Sequence, residues 1–260
     1  MEHKIAYRDS LLGVEALTFD GLSQSFPPHF HPYYVVGLMD GGTRRLTCRG
    51  ETLTVREGQL LLFNPGDTHS CTQEGHVPLR YRALHIPAER MAALTGGPLP
   101  RLCPTAGSPE LFDALSLLHR MILSGSSRRA EQWQEAMSRL LDTRTLGVLA
   151  EASIRPEVSA ACQYLTENLH RRVTLPEVCR QVGVSQSVLL RSFAAEKQVT
   201  PHRYLKALRV AEAGQLLRQG VPPAEAAIRA GFADQSHLTN LFRALIGCSP
   251  GSYRQEPAKK

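Results

Sequence analysis

The spacing of apolar residues changes twice along the chain. Between Leu11 and Ile86, short β-favouring runs such as Tyr33-Tyr34-Val35-Val36 and Gln59-Leu60-Leu61-Leu62-Phe63 are separated by turn signals at Asp40-Gly41-Gly42, Arg49-Gly50, Glu57-Gly58 and Pro65-Gly66-Asp67. Strands this closely spaced, with no helical pattern between them, predict an antiparallel sandwich or barrel. A Gly- and Pro-rich stretch from Leu94 to Ser108 breaks the pattern. Beyond it, Leu111, Leu115, Leu118 and Ile122 recur at helical spacing, as do Trp133, Met137, Leu140 and Leu141, with Ser124-Gly125-Ser126-Ser127 between the two groups. That pattern predicts helices over 109–124 and 130–151. The first stripe suits a helix that caps the barrel and a seam that pairs two copies equally well. After Ser153-Ile154-Arg155-Pro156 every recognisable element is helical. The expected organisation is an α+β multidomain chain: a β domain over 1–100, a helical linker with possible dimerisation helices over 107–152, and an all-α domain over 156–260.

Charge sharpens this division. The 260 residues carry 30 Lys and Arg against 24 Asp and Glu, a net +6, and 42% of residues are hydrophobic, which fits a globular protein of two domains. Residues 1–154 hold 15 basic and 16 acidic side chains, whereas residues 155–260 hold 15 and 8. The whole basic excess therefore sits in the helical part, as expected of a nucleic-acid-binding module beside a neutral one. The start, Met1-Glu2-His3-Lys4, has no apolar leader core, and no apolar run reaches the ~18 residues of a membrane span. A cytoplasmic protein without a membrane partner is expected. The six cysteines are scattered without a C-x-x-C pair, which suggests neither a disulfide framework nor a zinc finger. A redox role for Cys71 or Cys103 has no paired thiol to support it.

The basic region contains a repeat. Phe193, Pro201 and Tyr204 recur 49 residues later as Phe242, Pro250 and Tyr253, and Gly183 recurs after 48 as Gly231. In the first copy, Thr174-Leu175-Pro176-Glu177 forms a capping box, Leu175, Val178, Cys179 and Val182 form an apolar face, and Gly183 ends the helix. Ser185 then caps a second helix that buries Leu189 and Phe193 and turns Gln186, Ser187, Leu190 and Arg191 outward. The second copy opens at Pro222-Pro223-Ala224-Glu225, buries Ala226, Ala227 and Ala230, and turns at Gly231-Phe232. Asp234 caps its second helix, which packs Leu238, Leu241, Phe242 and Leu245 and leaves Gln235, Ser236, Thr239 and Asn240 outward. Two helices joined by a tight glycine turn are the geometry that places the second in a major groove. A linking helix from Pro201 to Arg218, with Tyr204, Leu208 and Ala211 on one face, would hold the two units at a fixed separation.

These units resemble the DNA-binding domain of the AraC/XylS transcription regulators. The likeness rests on Val199-Thr200-Pro201-His202-Arg203-Tyr204, on Gly231-Phe232-Ala233-Asp234-Gln235-Ser236-His237-Leu238, and on the run from Phe242-Arg243 to Tyr253, and it spans about 157–255. Gln198 stands where the family's closing motif often has Gly. The resemblance implies a double-stranded-DNA-binding regulator, most often an activator that contacts RNA polymerase, and not an enzyme. It also places Ser187, Leu190 and Arg191, and Gln235, Ser236, Thr239 and Asn240, at base-facing positions. Arg suits guanine, Gln and Asn suit adenine, and Leu or a Thr methyl suits the thymine methyl. Arg203, Lys206, Arg209 and Arg243 are expected at phosphates.

In the neutral half, Pro27-Pro28-His29-Phe30-His31 and Pro65-Gly66-Asp67-Thr68-His69 resemble the two motifs of the small cupin barrel over about residues 10–90. His29 and His31 share a strand face at i and i+2. A metal-binding cupin has a Glu three or four residues after the H-x-H, but this chain has Tyr34 and Val35. Pocket-lining histidines, with no metal and no cofactor, are the expectation, and a metal-dependent cupin enzyme or metal sensor is the rival. His29, His31, Tyr33, His69 and Arg82 are the candidate contacts to a small-molecule effector, and the histidines and Arg82 would suit a carboxylate. The AraC/XylS resemblance implies in addition that helices over 109–151 pair two subunits, as they commonly do in that family.

Overall fold

A computed structural model describes residues 3–106, 108–148 and 155–254. The chain runs through β1 (His3–Asp9), β2 (Val14–Leu22), β3 (Phe26–His29), β4 (Tyr34–Gly41), β5 (Thr43–Cys48), β6 (Glu51–Val55), β7 (Leu60–Phe63), β8 (His69–Glu74) and β9 (Leu79–Ile86). Then come α1 (Ala88–Thr95), β10 (Pro100–Leu102), β11 (Thr105–Ala106), α2 (Pro109–Leu123), α3 (Arg129–Arg144) and β12 (Thr145–Val148). The basic region supplies α4 (Pro156–Glu167), α5 (Leu175–Val182), α6 (Gln186–Lys197), α7 (Pro201–Arg218), α8 (Pro223–Arg229), α9 (Gln235–Ile246) and α10 (Pro250–Arg254).

The expected barrel is built from two antiparallel sheets, one in the order β1-β2-β9-β4-β7-β11 and one in the order β3-β8-β5-β6. Side chains of both sheets line a common interior. The larger sheet is covered on both faces, which explains why β4 reads as a nearly continuous apolar run rather than an alternation. Val35 and Met39 point to the interior, while Tyr34, Val36 and Leu38 pack under α2 and α3. Gly37 is required here, because a Cβ would lie 2.2 Å from the Tyr81 hydroxyl across the sheet.

Leu111, Leu115, Leu118 and Ile122 of α2 are all buried against this sheet together with Trp133, Met137 and Leu140 of α3. The stripe that could have paired two copies is thus spent inside one chain, at about 2 kcal/mol per aliphatic side chain. The helix expected over 130–151 ends at Arg144, and Thr145–Val148 pairs with β10 instead. β-Branched Thr145 and Val148 suit an edge strand, and the stripe has run out by Leu141. The remainder of that expected helix, residues 149–151, lies outside the described residues, as do Ser153 and Ile154 of the expected boundary. Because β11 pairs with β7, the N-terminal sheet also extends past the expected end at residue 100.

In the basic region α4, α5 and α6 enclose one small core of Val158, Ala161, Leu165, Val178, Leu189 and Phe193, closed by Leu205 at the start of α7. The rest of α7 contributes Ala207, Val210, Ala213, Leu216 and Leu217 to a second core with α8 and α9. Its buried face is therefore offset from the expected Tyr204–Leu208–Ala211 line, whose members are half-buried. The second core is continuous with the interior of the β domain: α9 and α7 pack on β3, and α10 packs on β1.

Candidate DNA-reading surface and effector cavity

Both helix-turn-helix units have the caps their sequences encode. Glu177 accepts from the Thr174 backbone N–H at 3.3 Å, and Gly183 ends α5 at φ 79°. The Ser185 hydroxyl accepts from the Val188 N–H, and Asp234 accepts from His237 N–H at 2.7 Å. A salt bridge to Arg171 and a hydrogen bond from Tyr164 hold the Glu177 carboxyl down at about 2. Gly231 is needed twice over. Its φ is +82°, and a Cβ would lie 2.3 Å from the Leu169 carbonyl oxygen.

With the helices so fixed, Gln186, Ser187, Leu190 and Arg191 of α6 are exposed, as are Gln235, Ser236 and Asn240 of α9; Thr239 is half-buried. Arg203 and Arg243 are exposed and Lys206 is half-buried, so their cations remain available to phosphate. Arg209 departs from its expected role. Its Nε donates to the Leu169 carbonyl at 2.7 Å and a second nitrogen donates to the Arg171 carbonyl at 2.6 Å. It clamps α7 to the segment after α4, on the side where Gly231 touches that same Leu169 carbonyl.

The interior of the β domain contains a cavity of about 80 Å³. Its walls are apolar: Leu17, Phe19, Phe26, Val35, Met39, Leu46, Leu61, Phe63 and Leu79 among others. Two wall residues, Leu245 and Ile246, come from the last turn of α9 rather than from a strand. Polar groups enter at four places: His29, His31 and His69 together, His85 beside them, Arg44 with Cys71, and Tyr81. Burial pushes the Cys71 thiol up to about 11, so it remains an S–H group.

Of the expected effector contacts, His29, His31 and His69 line this cavity. Tyr33 sits behind them, stacked between His31 and His85 at ring distances of 5.1 and 4.5 Å. Arg82 does not belong to the cavity. It shares a strand face with Leu84 and Ile86, which pack toward α2, and it forms a bidentate pair with Asp40 at 2.6 Å. The arginine of the cavity is Arg44, fully buried, with its terminal nitrogens on the carbonyls of Leu22 and Gln24 and its Nε without a hydrogen-bond partner. Burial lowers its pKa from the usual guanidinium value, but at that basicity it stays charged. Strand alternation held the signal for it: Arg44, Leu46 and Cys48 share one face, and Leu46 and Cys48 are apolar and inward.

α9 thus carries its outward polar residues at one end and a piece of the cavity wall at the other. The chain joins a helix-turn-helix pair to a two-sheet β domain with an internal cavity. Residues 11–141 match the AraC-like ligand binding domain, and residues 178–256 match a helix-turn-helix domain. The chain belongs to the AraC family of transcriptional regulators.

As an AraC-family regulator it binds DNA through its C-terminal half and has a ligand-binding N-terminal half. It is similar to the HTH-type transcriptional regulator YbfI of Bacillus subtilis (strain 168), at 38% identity with 88% of this chain and 87% of the relative aligned. It is also similar to the HTH-type transcriptional activator RhaS of Escherichia coli O81 (strain ED1a), at 24% identity over 88% of each chain. Among solved structures, fatty-acid-bound ToxT of Vibrio cholerae strain SCE256 has the same fold, with a TM-score of 0.59 at 11% identity, covering 97% of this chain and 93% of that one. Among the described residues, no helix is long and apolar enough to cross a membrane.

Where the AraC-family chain joins its halves, the contacts are specific. Gln24 donates to the Arg243 carbonyl at 2.9 Å, and the Thr68 hydroxyl donates to the Lys197 carbonyl at 2.6 Å. Phe30 stacks on Tyr204 at 4.7 Å. Gly247, at the end of α9, fits against Phe19 and Phe26, where a Cβ would meet ring carbons at 3.3 and 3.2 Å.

Proposed function

We propose that this regulator is an activator whose DNA-reading helix α9 is positioned by a small monoanionic effector bound in the N-terminal cavity. The observation that carries the reading is that Leu245 and Ile246 of α9 close the cavity that Arg44 lines. A buried guanidinium without an acidic partner has an unmet need for an anion. The surrounding walls ask for an apolar body, so the effector class is a small aromatic or branched aliphatic carboxylate. ToxT, whose structures include a fatty acid and a naphthalenyl butenoic acid, supports that class by its bound ligands.

A cavity of 80 Å³ has room for only a few water-sized groups. A larger body enters by displacing a wall, and the α9 wall is held by side-chain contacts rather than by a sheet ladder. Effector and DNA then bias the same helix, so each must change the affinity for the other by the same factor. On DNA, α6 and α9 read successive major-groove faces about 34 Å apart, which makes the site a two-box element. Arg191, Gln235, Ser236 and Asn240 face bases, with Arg203, Lys206 and Arg243 on phosphates. The relative named as an activator supports recruitment of RNA polymerase, and the regulatory relatives support a cytoplasmic, non-enzymatic role.

The test is fluorescence anisotropy on a duplex selected from random sequence, with and without a panel of small carboxylates. At least one should shift DNA affinity in wild type and fail to do so in Arg44→Met. A panel that binds in the cavity and leaves DNA affinity and transcription unchanged would refute the regulatory reading.

A further inference from the structure

We propose that a second cavity, between the β domain and the end of α7, is a binding site for a small zwitterion of the free amino-acid class, with Arg8 taking the carboxylate and Glu89 the ammonium group. The cavity has a volume of about 310 Å³, against about 80 Å³ for the apolar one, and so reaches the size of ordinary small-molecule sites. Its walls are polar where those of the first are apolar. It therefore suits a ligand unlike the proposed effector and does not depend on what that effector is.

Strand register and helix period assemble the site. β1 sets Arg8 opposite Glu15 on β2, and β2 sets Glu15 opposite His85 on β9, so the three form one row across the sheet. Gln215, Arg218 and Gln219 face that row from the end of α7, where spacings of three and four residues share one side of a helix. Glu89 enters from the first turn of α1, whose N-terminus favours the ionised carboxylate.

The charges of the cavity balance, but only one pair is closed. Glu15 and Arg218 lie 3.0 Å apart and answer each other. Arg8 and Glu89 are exposed, and among the described residues neither is in an ion pair, with the other or with a third group. One free cation and one free anion, held apart on two elements, complement a molecule that carries both charges a few bonds apart. A simple anion would meet the carboxylates of Glu15 and Glu89, and a neutral polyol would leave both free charges unanswered. Deeper in, His85 is 8% exposed and its Nδ1 forms no hydrogen bond, standing 3.5 Å from Glu15. The plain alternative is a hydrated cleft rimmed by ordinary surface charges. Surface charges do not account for a buried imidazole nitrogen left without a partner at the same cavity.

The experiment is calorimetric titration of the full-length protein with the common free amino acids in turn, beside glucose as a neutral probe and acetate as a purely anionic one. Expected is saturable one-to-one binding of at least one amino acid, with a rise in Tm, and no binding of glucose or acetate at this site. Arg8→Gln and Glu89→Gln should each weaken it by at least ~10-fold, the scale of one charge-assisted hydrogen bond, and leave the Tm of the free protein unchanged because both side chains are exposed. Arg44→Met, in the apolar cavity, should leave it unaltered, so that failure of this site and failure of the effector reading are seen separately. No amino acid bound at millimolar concentration overturns the site. Glucose or acetate bound in its place overturns the ligand class, and binding that survives both glutamine variants, or is lost in Arg44→Met, overturns the placement.

Discussion

Glu15 of β2 lies 3.0 Å from Arg218 at the end of α7, so one ion pair ties the ligand-binding half to the helix that joins the two DNA-reading units. The Tyr253 hydroxyl donates to the same carboxylate at 2.7 Å and accepts from Arg218 at 2.9 Å. His85 Nδ1 lies 3.5 Å from it on the cavity side. Burial alone would raise the Glu15 pKa, but His85, Arg218 and Tyr253 around it hold it below its ordinary value. Glu15→Gln leaves Arg218 and Tyr253 in place without the charge, at a cost of about 3 kcal/mol for a broken buried pair. The expected outcome is a lower Tm and DNA binding that no longer depends on effector. A variant with wild-type stability and an intact effector response would show that this pair does not couple the halves.

Arg44 and Arg82 have opposite fates that strand parity decides. Replacing Arg44 by Met keeps the bulk and removes an unpaired buried cation. Carboxylate affinity should fall by roughly 100-fold, the ~3 kcal/mol range of a charge-assisted hydrogen bond. Stability should change little, because the desolvation cost removed with the cation offsets the donors lost to the Leu22 and Gln24 carbonyls. Arg82→Met should instead destabilise, since it strands Asp40, and should leave carboxylate affinity unchanged. Calorimetric titration and urea unfolding of both variants distinguish the two roles.

Much of this was legible in the sequence, for a local reason. Caps, glycine turns and i, i+4 stripes are short-range, so the helix-turn-helix units could be read from Thr174, Gly183, Ser185, Gly231 and Asp234. The H-x-H and the turn before His69 pointed to three imidazoles on one cavity, but strand pairing brings only His29 and His69 together; β3 ends at His29, so His31 reaches the cavity from the following loop and not by strand alternation. What failed was long-range. Whether the Leu111 stripe faced a second copy or its own sheet depends on a partner element up to 100 residues away, as does the departure of Arg209 from phosphate to the Leu169 carbonyl. Nothing in the α9 stripe says that Leu245 closes a cavity in the other half, because burial against α7 and burial against β3 give the same spacing.

At the DNA, Arg191→Ala should relax selectivity at one base position at a cost of about 1–3 kcal/mol, whereas Lys206→Ala should weaken all sequences alike and reduce the salt slope by about one unit. Selection from random duplexes, followed by salt-dependent binding of each variant, reads both effects. Unchanged base preference in the Arg191 variant would remove it from the base-reading set.

Stability should fall with acid. His29 and His119 are held by burial at about 4, against about 6.5 in an unfolded chain. Between those values the unfolded chain binds protons that the folded chain does not, so stability is present above about pH 6.5 and is lost as pH falls toward 4. Each histidine contributes up to ~3 kcal/mol over the full window. Urea midpoints should drop steadily from pH 7.5 to 5; a flat profile would mean that these rings are solvated.

The first unit closes on a residue other than glycine, and this gives a substitution that should stabilise. Gln198 ends α6 at φ 55°, in the left-handed region, and donates its own N–H to the Ala194 carbonyl. For an L-residue with a Cβ that conformation costs about 1–2 kcal/mol, which Gly does not incur. Glycine's greater freedom in the unfolded chain takes back about 0.4–1 kcal/mol. Gln198→Gly should therefore raise stability by up to ~1 kcal/mol, seen as a small rise in Tm with DNA affinity unchanged. One contact argues the other way. The Gln198 amide nitrogen would lie 3.5 Å from a Cβ at Gly50, so its side chain rests on the turn between β5 and β6. A loss of stability in the glycine variant would show that this contact between the halves outweighs the backbone strain, and that Gln198 is kept as part of the domain junction.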